Sequence, residues 1–316
     1  MSICQECGST TAAKWNVEPK ASTFIWLAVM VTLWGLSWPA TKLALGVIPP
    51  LWLAAFRFGT ASICLFVFVG LRGQLRLPPR GDWSIVATMG LLQMMAFTGL
   101  GMIAMTHTDT SRAVLLAYTT PLWAVVMGWL MFKQSPTARQ LGALAVGVAG
   151  IVIICSPFEM NWADPETIMG AVLLLLAAAC WSAVILHIRR HQWASSPLAL
   201  APWQMLIATI PLSLMAYLFE GVPSAIPFDS HLLELLFFIG PVATSACFVI
   251  SAEYGRRITA FAMSNFTLGV PLIGILSSVI LLGSKLSIAF VGGLVLVTCG
   301  MVLAALAGRA KAQTSD

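Results

Sequence analysis

Trp34-Gly35-Leu36-Ser37-Trp38-Pro39 lies about halfway along the first long apolar segment of this 316-residue chain. Two tryptophans at i and i+4 share a helix face, and a Gly and a Pro loosen the backbone beside them. Contact with lipid alone does not require that combination. A tryptophan recurs at Trp181, in the first apolar segment of the second half, 147 positions after Trp34. The same offset pairs Pro50 with Pro197, Leu51 with Leu198, Phe56 with Trp203 and Arg57 with Gln204. Farther on, an offset of 150 pairs Gly90 with Gly240, Pro121 with Pro271, Gly142 with Gly292 and Gly150 with Gly300. Several matches at nearly one offset, in corresponding segments, favour a duplicated chain.

The composition says what kind of chain was duplicated. Hydrophobic residues make up 59% and charged residues only 9%, with a mean hydropathy of +0.91, whereas a soluble domain carries about 25% charged residues. This is the balance of an integral membrane protein. A bilayer core needs about 20 apolar residues as helix, and on that measure the sequence predicts ten spans, at 24–46, 50–71, 83–106, 111–132, 138–156, 168–188, 198–219, 232–253, 258–282 and 286–307. Pro, Gly or charge punctuates most of the short connections. Five spans per half is an odd number, so the halves must enter the membrane from opposite sides, and such inverted repeats place a binding site near the midplane where they meet. The expected fold class is all-α integral membrane, with ten transmembrane helices as two inverted five-helix repeats around a central cavity. Its divisions are a polar tail at 1–22, repeats at 23–157 and 158–308, and a second tail at 309–316.

Charge sets the expected orientation. Of the Lys and Arg residues, thirteen fall in loops and tails on one side, three (Lys42, Arg112 and Lys285) on the other, and Arg57 inside the second span. By the positive-inside rule both termini are cytoplasmic. The net charge of +5 is thereby absorbed by membrane orientation, and nucleic acid is not an expected partner. The tail before residue 22 lacks the layout of a cleaved signal peptide, so the first span is expected to remain in the mature protein. Five of the seven cysteines are scattered inside apolar segments, and the lone pair Cys4 and Cys7 supplies two of the four ligands that a structural zinc site needs. No metal or cofactor is expected. With no P-loop, no HExxH and no nucleophile beside a base, neither an ATPase nor a protease is expected.

The run from Trp34 to Leu45, then Pro49-Pro50 and Ala54-Ala-Phe-Arg57-Phe, resembles the opening of EamA-type members of the drug/metabolite transporter superfamily. So do Tyr118-Thr-Thr-Pro-Leu-Trp123, Arg139-Gln-Leu-Gly142 and Gly147-Val-Ala-Gly-Ile151. The resemblance spans essentially the whole chain after residue 22 and is closest to the bacterial aromatic amino acid exporters. It implies a plasma-membrane carrier of a small metabolite or drug. Two departures stand out: members often carry an acidic residue shortly after the fourth and ninth spans, and Met131-Phe-Lys-Gln-Ser and Leu282-Gly-Ser-Lys have none.

Trp34, Ser37, Trp38 and Thr41 form one helical stripe of rings and hydroxyls, suited either to a cavity wall or to packing between helices. Trp181 inherits the same two readings through the repeat. Tyr118 before Pro121, and Asn265 before Pro271, are polar candidates beside prolines that free backbone carbonyls. Gln93 and Met95 in the third span, near Met94 and Phe97, offer an amide and an adaptable thioether. Arg57, about 10 Å deep at 1.5 Å per residue, anchors a substrate carboxylate or serves as a structural cation on helix-end carbonyls. Lys42 is expected to snorkel toward the outer surface. His107 and His187 fall near span ends and form no recognisable relay. No carboxylate sits at mid-membrane, which points to facilitated uniport. The sequence therefore predicts an exporter of amino acids, aromatic and other neutral ones, or similar small metabolites, working by alternating access in the lipid bilayer, with a monomer as one possible state. The alternatives are a multidrug exporter of lipophilic cations, which would call for an acidic site, and a membrane receptor or scaffold that transports nothing.

Overall fold

The computed structural model describes residues 21–313 except 134, 157–160, 162, 224–225, 227, 256–262 and 264–265. The Cys4/Cys7 tail, the basic pair Arg256-Arg257 and the candidate Asn265 lie outside the described residues. Within them every regular element is a helix: α1 (Ala21–Leu45), α2 (Pro50–Leu71), α3 (Trp83–Thr88, Met89–Phe97 and Thr98–His107 in one run), α4 (Thr110–Ala117, then Thr120–Phe132), α5 (Ala138–Ile154), α6 (Pro165–Ile188), α7 (Pro197–Phe219), α8 (Ser230–Phe237, Phe238–Ala246 and Cys247–Tyr254 in one run), α9 (Gly269–Leu282) and α10 (Ile288–Gln313). Seven of the described helices are long and apolar enough to cross a membrane; Ala138–Ile154, Gly269–Leu282 and Ile288–Ala304 are shorter apolar helices. The protein is thus a helical integral membrane protein. Ile63, Ile210 and Ile280, all more than 60% exposed, belong to the outward faces that such a chain turns to lipid.

The helices pack in pairs that exchange when the chain is shifted by five helices. α2 lies on α7 and α5 on α10; α1 packs on α9 as α6 packs on α4; α3 packs on α6 and α7 as α8 packs on α1 and α2. Local irregularities follow the same rule. Wide π-helical turns occupy Met89–Phe97 of α3 and Phe238–Ala246 of α8. Each contains one of the glycines matched in the sequence, and each glycine abuts the other half: a Cβ on Gly90 would lie 2.7 Å from the Gln204 carbonyl, and one on Gly240 3.3 Å from that of Arg57. In α8 the widened turn also accommodates Pro241, which lacks an N–H and crowds the preceding turn. The expected continuous fourth span is broken after Tyr118, with Pro121 opening the second half, where the missing N–H does no harm.

α2 begins at Pro50 without a capping side chain of its own. The cap comes from the far half: Glu220, just past α7, accepts from the amides of Leu51 (2.8 Å) and Trp52 (3.1 Å), while the Trp52 indole donates to the Gly221 carbonyl (2.8 Å). A carboxylate on a helix N-terminus satisfies otherwise orphaned donors and complements the dipole. Glu220→Ala is expected to destabilise the protein by about 1–2 kcal/mol, read as a lower melting temperature in detergent; an unchanged melting temperature would show that solvent replaces the cap.

Candidate functional site

The middle of α1 meets α3, α4 and α6 around a cavity of about 150 Å³. A cavity of that size accommodates a benzene-sized group. Its α1 wall is the sequence stripe itself, Trp34, Ser37, Trp38 and Thr41. From there aromatic rings run across three further helices. Trp38 and Tyr118 have centroids 6.1 Å apart, Tyr118 meets Trp181 edge-on at 5.5 Å, and Phe97 lies 4.7 Å from Trp181. Tyr118 reaches this position because α4 breaks there: its own amide closes the last turn of Thr110–Ala117, and the chain redirects before Pro121. Trp34 and Trp181, equivalent positions of the two halves, line one cavity.

Arg57 enters from α2. Its Nε donates to the Thr244 hydroxyl at 2.9 Å, and Thr244 in turn donates to the Ile239 carbonyl at 2.8 Å, across the wide turn of α8. Thr244 is therefore fixed as an acceptor toward the guanidinium. Among the described residues the remaining guanidinium nitrogens form no hydrogen bond and no carboxylate lines the cavity. Helix-end carbonyls, the partners expected of a structural cation, do not hold Arg57 among the described residues. Gln93 lines the cavity from α3, and its buried Oε1 has no partner among the described residues.

Six of the eight sequence-derived candidates, Trp34, Trp38, Arg57, Gln93, Tyr118 and Trp181, thus border one cavity. Met95 does not: it packs against the α2–α7 core, and Met94 takes the place at the cavity. Residues two apart on a helix face opposite ways, so Gln93 and Met95 could not both line it. Asn265 falls outside the described residues. The stripe through Gln93 continues as Phe97, Thr98, Gly101, Met102 and Met105, a continuation that helical spacing alone would have found. Met205 and Phe248 complete the apolar wall; Met205 follows Gln204, the counterpart of Arg57 in the other half.

Lys42 is half-buried and reaches the end of a neighbouring helix. Its ammonium binds the Met105 carbonyl and, at 3.1 Å, that of Thr108, tying α1 to the carbonyl end of α3. His107 lies 3.2 Å from Glu166. Beyond the other end of α6, His191 Nε2 sits 3.0 Å from the buried Asp82, with His187 edge-on to His191 at 5.7 Å. These pairs join helix ends and do not border the cavity.

Comparisons with known proteins agree with this architecture. The model of the EamA-like transporter family matches twice, over residues 21–156 and 168–306. An uncharacterized transporter of Bacillus subtilis, YvbV, is 24% identical over 93% of this chain and 94% of its own length. A probable amino-acid metabolite efflux pump of Salmonella typhimurium is 25% identical over 87% of this chain and 92% of its own. A solved structure covering 92% of this chain and 97% of its own superposes with a TM-score of 0.59 at 21% identity, a likeness of fold. With the family model matched over both halves and the resemblance of the Trp34, Arg57 and Tyr118 regions thereby borne out, the chain belongs to the EamA-like transporter family of the drug/metabolite transporter superfamily and is a membrane transporter.

Proposed function

We propose that this transporter exports amino acids, aromatic and other neutral ones, or similar small carboxylate-bearing metabolites from the cytoplasm by alternating access as a facilitated uniporter. The carrying observation is the Arg57 guanidinium in a ring-lined cavity without a carboxylate, held by one hydroxyl and otherwise unpartnered among the described residues. A guanidinium fork matches a carboxylate, and rings with methionines accommodate an apolar side chain of variable shape. The cation opposes the multidrug reading, because it repels lipophilic cations. Relatives named probable amino-acid metabolite efflux pumps, in Salmonella typhimurium and Escherichia coli, support the substrate class. The exchanging helix pairs and the double family match support ten spans in inverted repeats at 23–157 and 158–308, and the distribution of Lys and Arg supports cytoplasmic termini in the inner membrane of a bacterium.

Counterflow of labelled L-phenylalanine into proteoliposomes tests the proposal. Exchange competed by neutral amino acids is expected; a sealed, unresponsive preparation across an amino acid panel would overturn it. Trp34→Ala and Trp181→Ala are each expected to slow counterflow by about tenfold, the loss of roughly one aromatic contact, with expression unchanged. Normal exchange by both variants would remove these rings from the substrate path.

A further inference from the structure

The cavity carries a second polar feature, distinct in sign from Arg57. Ser37 donates its hydroxyl proton to the Trp34 carbonyl at 2.7 Å, and Thr41 donates to the Ser37 carbonyl at 2.6 Å. A hydroxyl has a single proton to donate, so each of these presents only lone pairs to whatever enters. Both side chains are buried in the bundle and border the cavity. Gln93 adds a third acceptor, the buried Oε1 that lacks a partner among the described residues. Buried polar atoms are nearly always paired; of the residues with an unpaired buried atom among the described residues, Gln93 is the one that borders the cavity, where an entering donor can reach it. The same cavity thus offers donors at Arg57 and three neutral acceptors on α1 and α3.

Resting on the amino acid reading above, we infer that Ser37, Thr41 and Gln93 form an α-ammonium subsite, so that the transporter selects the free zwitterion over simple carboxylic acids and N-acylated amino acids. An α-ammonium group has three N–H donors, matching three acceptors. A deaminated acid satisfies Arg57 and leaves all three acceptors desolvated and unpaired. An N-acetyl group leaves one donor, removes the positive charge and adds bulk in a space already small. Thr244 is the positioning residue of the other subsite: with its proton on Ile239, it holds the Arg57 fork by Nε and leaves the outer nitrogens for the carboxylate.

The test measures competition against counterflow of labelled L-phenylalanine by unlabelled L-phenylalanine, 3-phenylpropionate and N-acetyl-L-phenylalanine. For the unaltered protein, both analogues are expected to compete at least about 10-fold more weakly than phenylalanine, the cost of stranding buried acceptors. In a Ser37→Ala/Thr41→Val/Gln93→Leu variant the preference for phenylalanine over 3-phenylpropionate is expected to fall below threefold. Equal competition by all three compounds in the unaltered protein would overturn the zwitterion inference and leave the amino acid carrier standing; that arm does not depend on any variant folding. Full discrimination retained by the triple variant would place ammonium recognition elsewhere. Absence of counterflow with any amino acid would overturn the function on which the inference rests, and the inference with it.

Discussion

Arg57→Met is expected to reduce L-phenylalanine counterflow by at least about 30-fold, the effect of deleting one partner of a buried, hydrogen-bonded charge pair. Met preserves much of the stem and its packing, so the loss reports the charge and fork. Arg57→Lys is expected to recover part of the rate, since an ammonium keeps the charge but cannot hold Thr244 through Nε while presenting two outer nitrogens. Thr244→Val retains the guanidinium and releases its anchor; about a 10-fold rise in the phenylalanine concentration for half-maximal exchange is expected, as for a neutral partner lost from a charged hydrogen bond. The structural alternative predicts a different pattern. A cation that only braces α2 against α8 would, when removed, lower the melting temperature and leave the exchange rate per folded molecule intact. Chromatographic monodispersity and melting temperature measured beside counterflow separate the two, and a fully active Arg57→Met would sink the carboxylate role.

What the sequence revealed, and what it hid, divides along the range of the interactions involved. Composition and span length identify a helical membrane protein, because lipid constrains every exposed residue in the same way. The α1 stripe was legible because Trp34, Ser37, Trp38 and Thr41 obey one helical period, and Trp181 was legible because its half repeats the other. Met95 marks the limit of naming residues by type: the thioether was a sound candidate, but its phase on α3 turns it into the α2–α7 core. The wide turns at Met89–Phe97 and Phe238–Ala246 leave no mark in composition; what the sequence offers is only that each contains a glycine, Gly90 or Gly240, that lies against the opposite half. The partners of Lys42 were hidden for a similar reason: the sequence places a lysine near a helix end, but not the unsatisfied carbonyls that the end of α3 brings to it. Nor could the sequence find the partner of Arg57, a hydroxyl on a helix 187 positions away.

Gly150→Val is expected to be the most disruptive change outside the cavity. Sequence offsets pair Gly142 with Gly292 and Gly150 with Gly300 alike, yet the structure gives these pairs opposite meanings. A Cβ on Gly150 would lie 2.7 Å from the Val297 amide nitrogen and 2.8 Å from the Gly293 carbonyl, and one on Gly300 2.6 Å from the Gly147 backbone. Those neighbours are main chain and cannot rotate away, so α5 and α10 must separate. In lipid no hydrophobic force drives the two helices together; close packing of small residues does. Forcing them apart is expected to cost about 1–3 kcal/mol or more, seen as a melting temperature lower by several degrees and a reduced yield from membranes. Among the described residues a Cβ on Gly142 or Gly292 would meet nothing within 4 Å, so Gly142→Ala is expected to be neutral or stabilising, Ala being the better helix former. Neither α5 nor α10 borders the cavity, and the Gly150→Val protein that does fold is therefore expected to keep the unaltered preference among amino acids while exchanging less per membrane. An unchanged melting temperature would show that the two helices are not in backbone contact, and a changed substrate preference would tie the α5–α10 pair to the transport path.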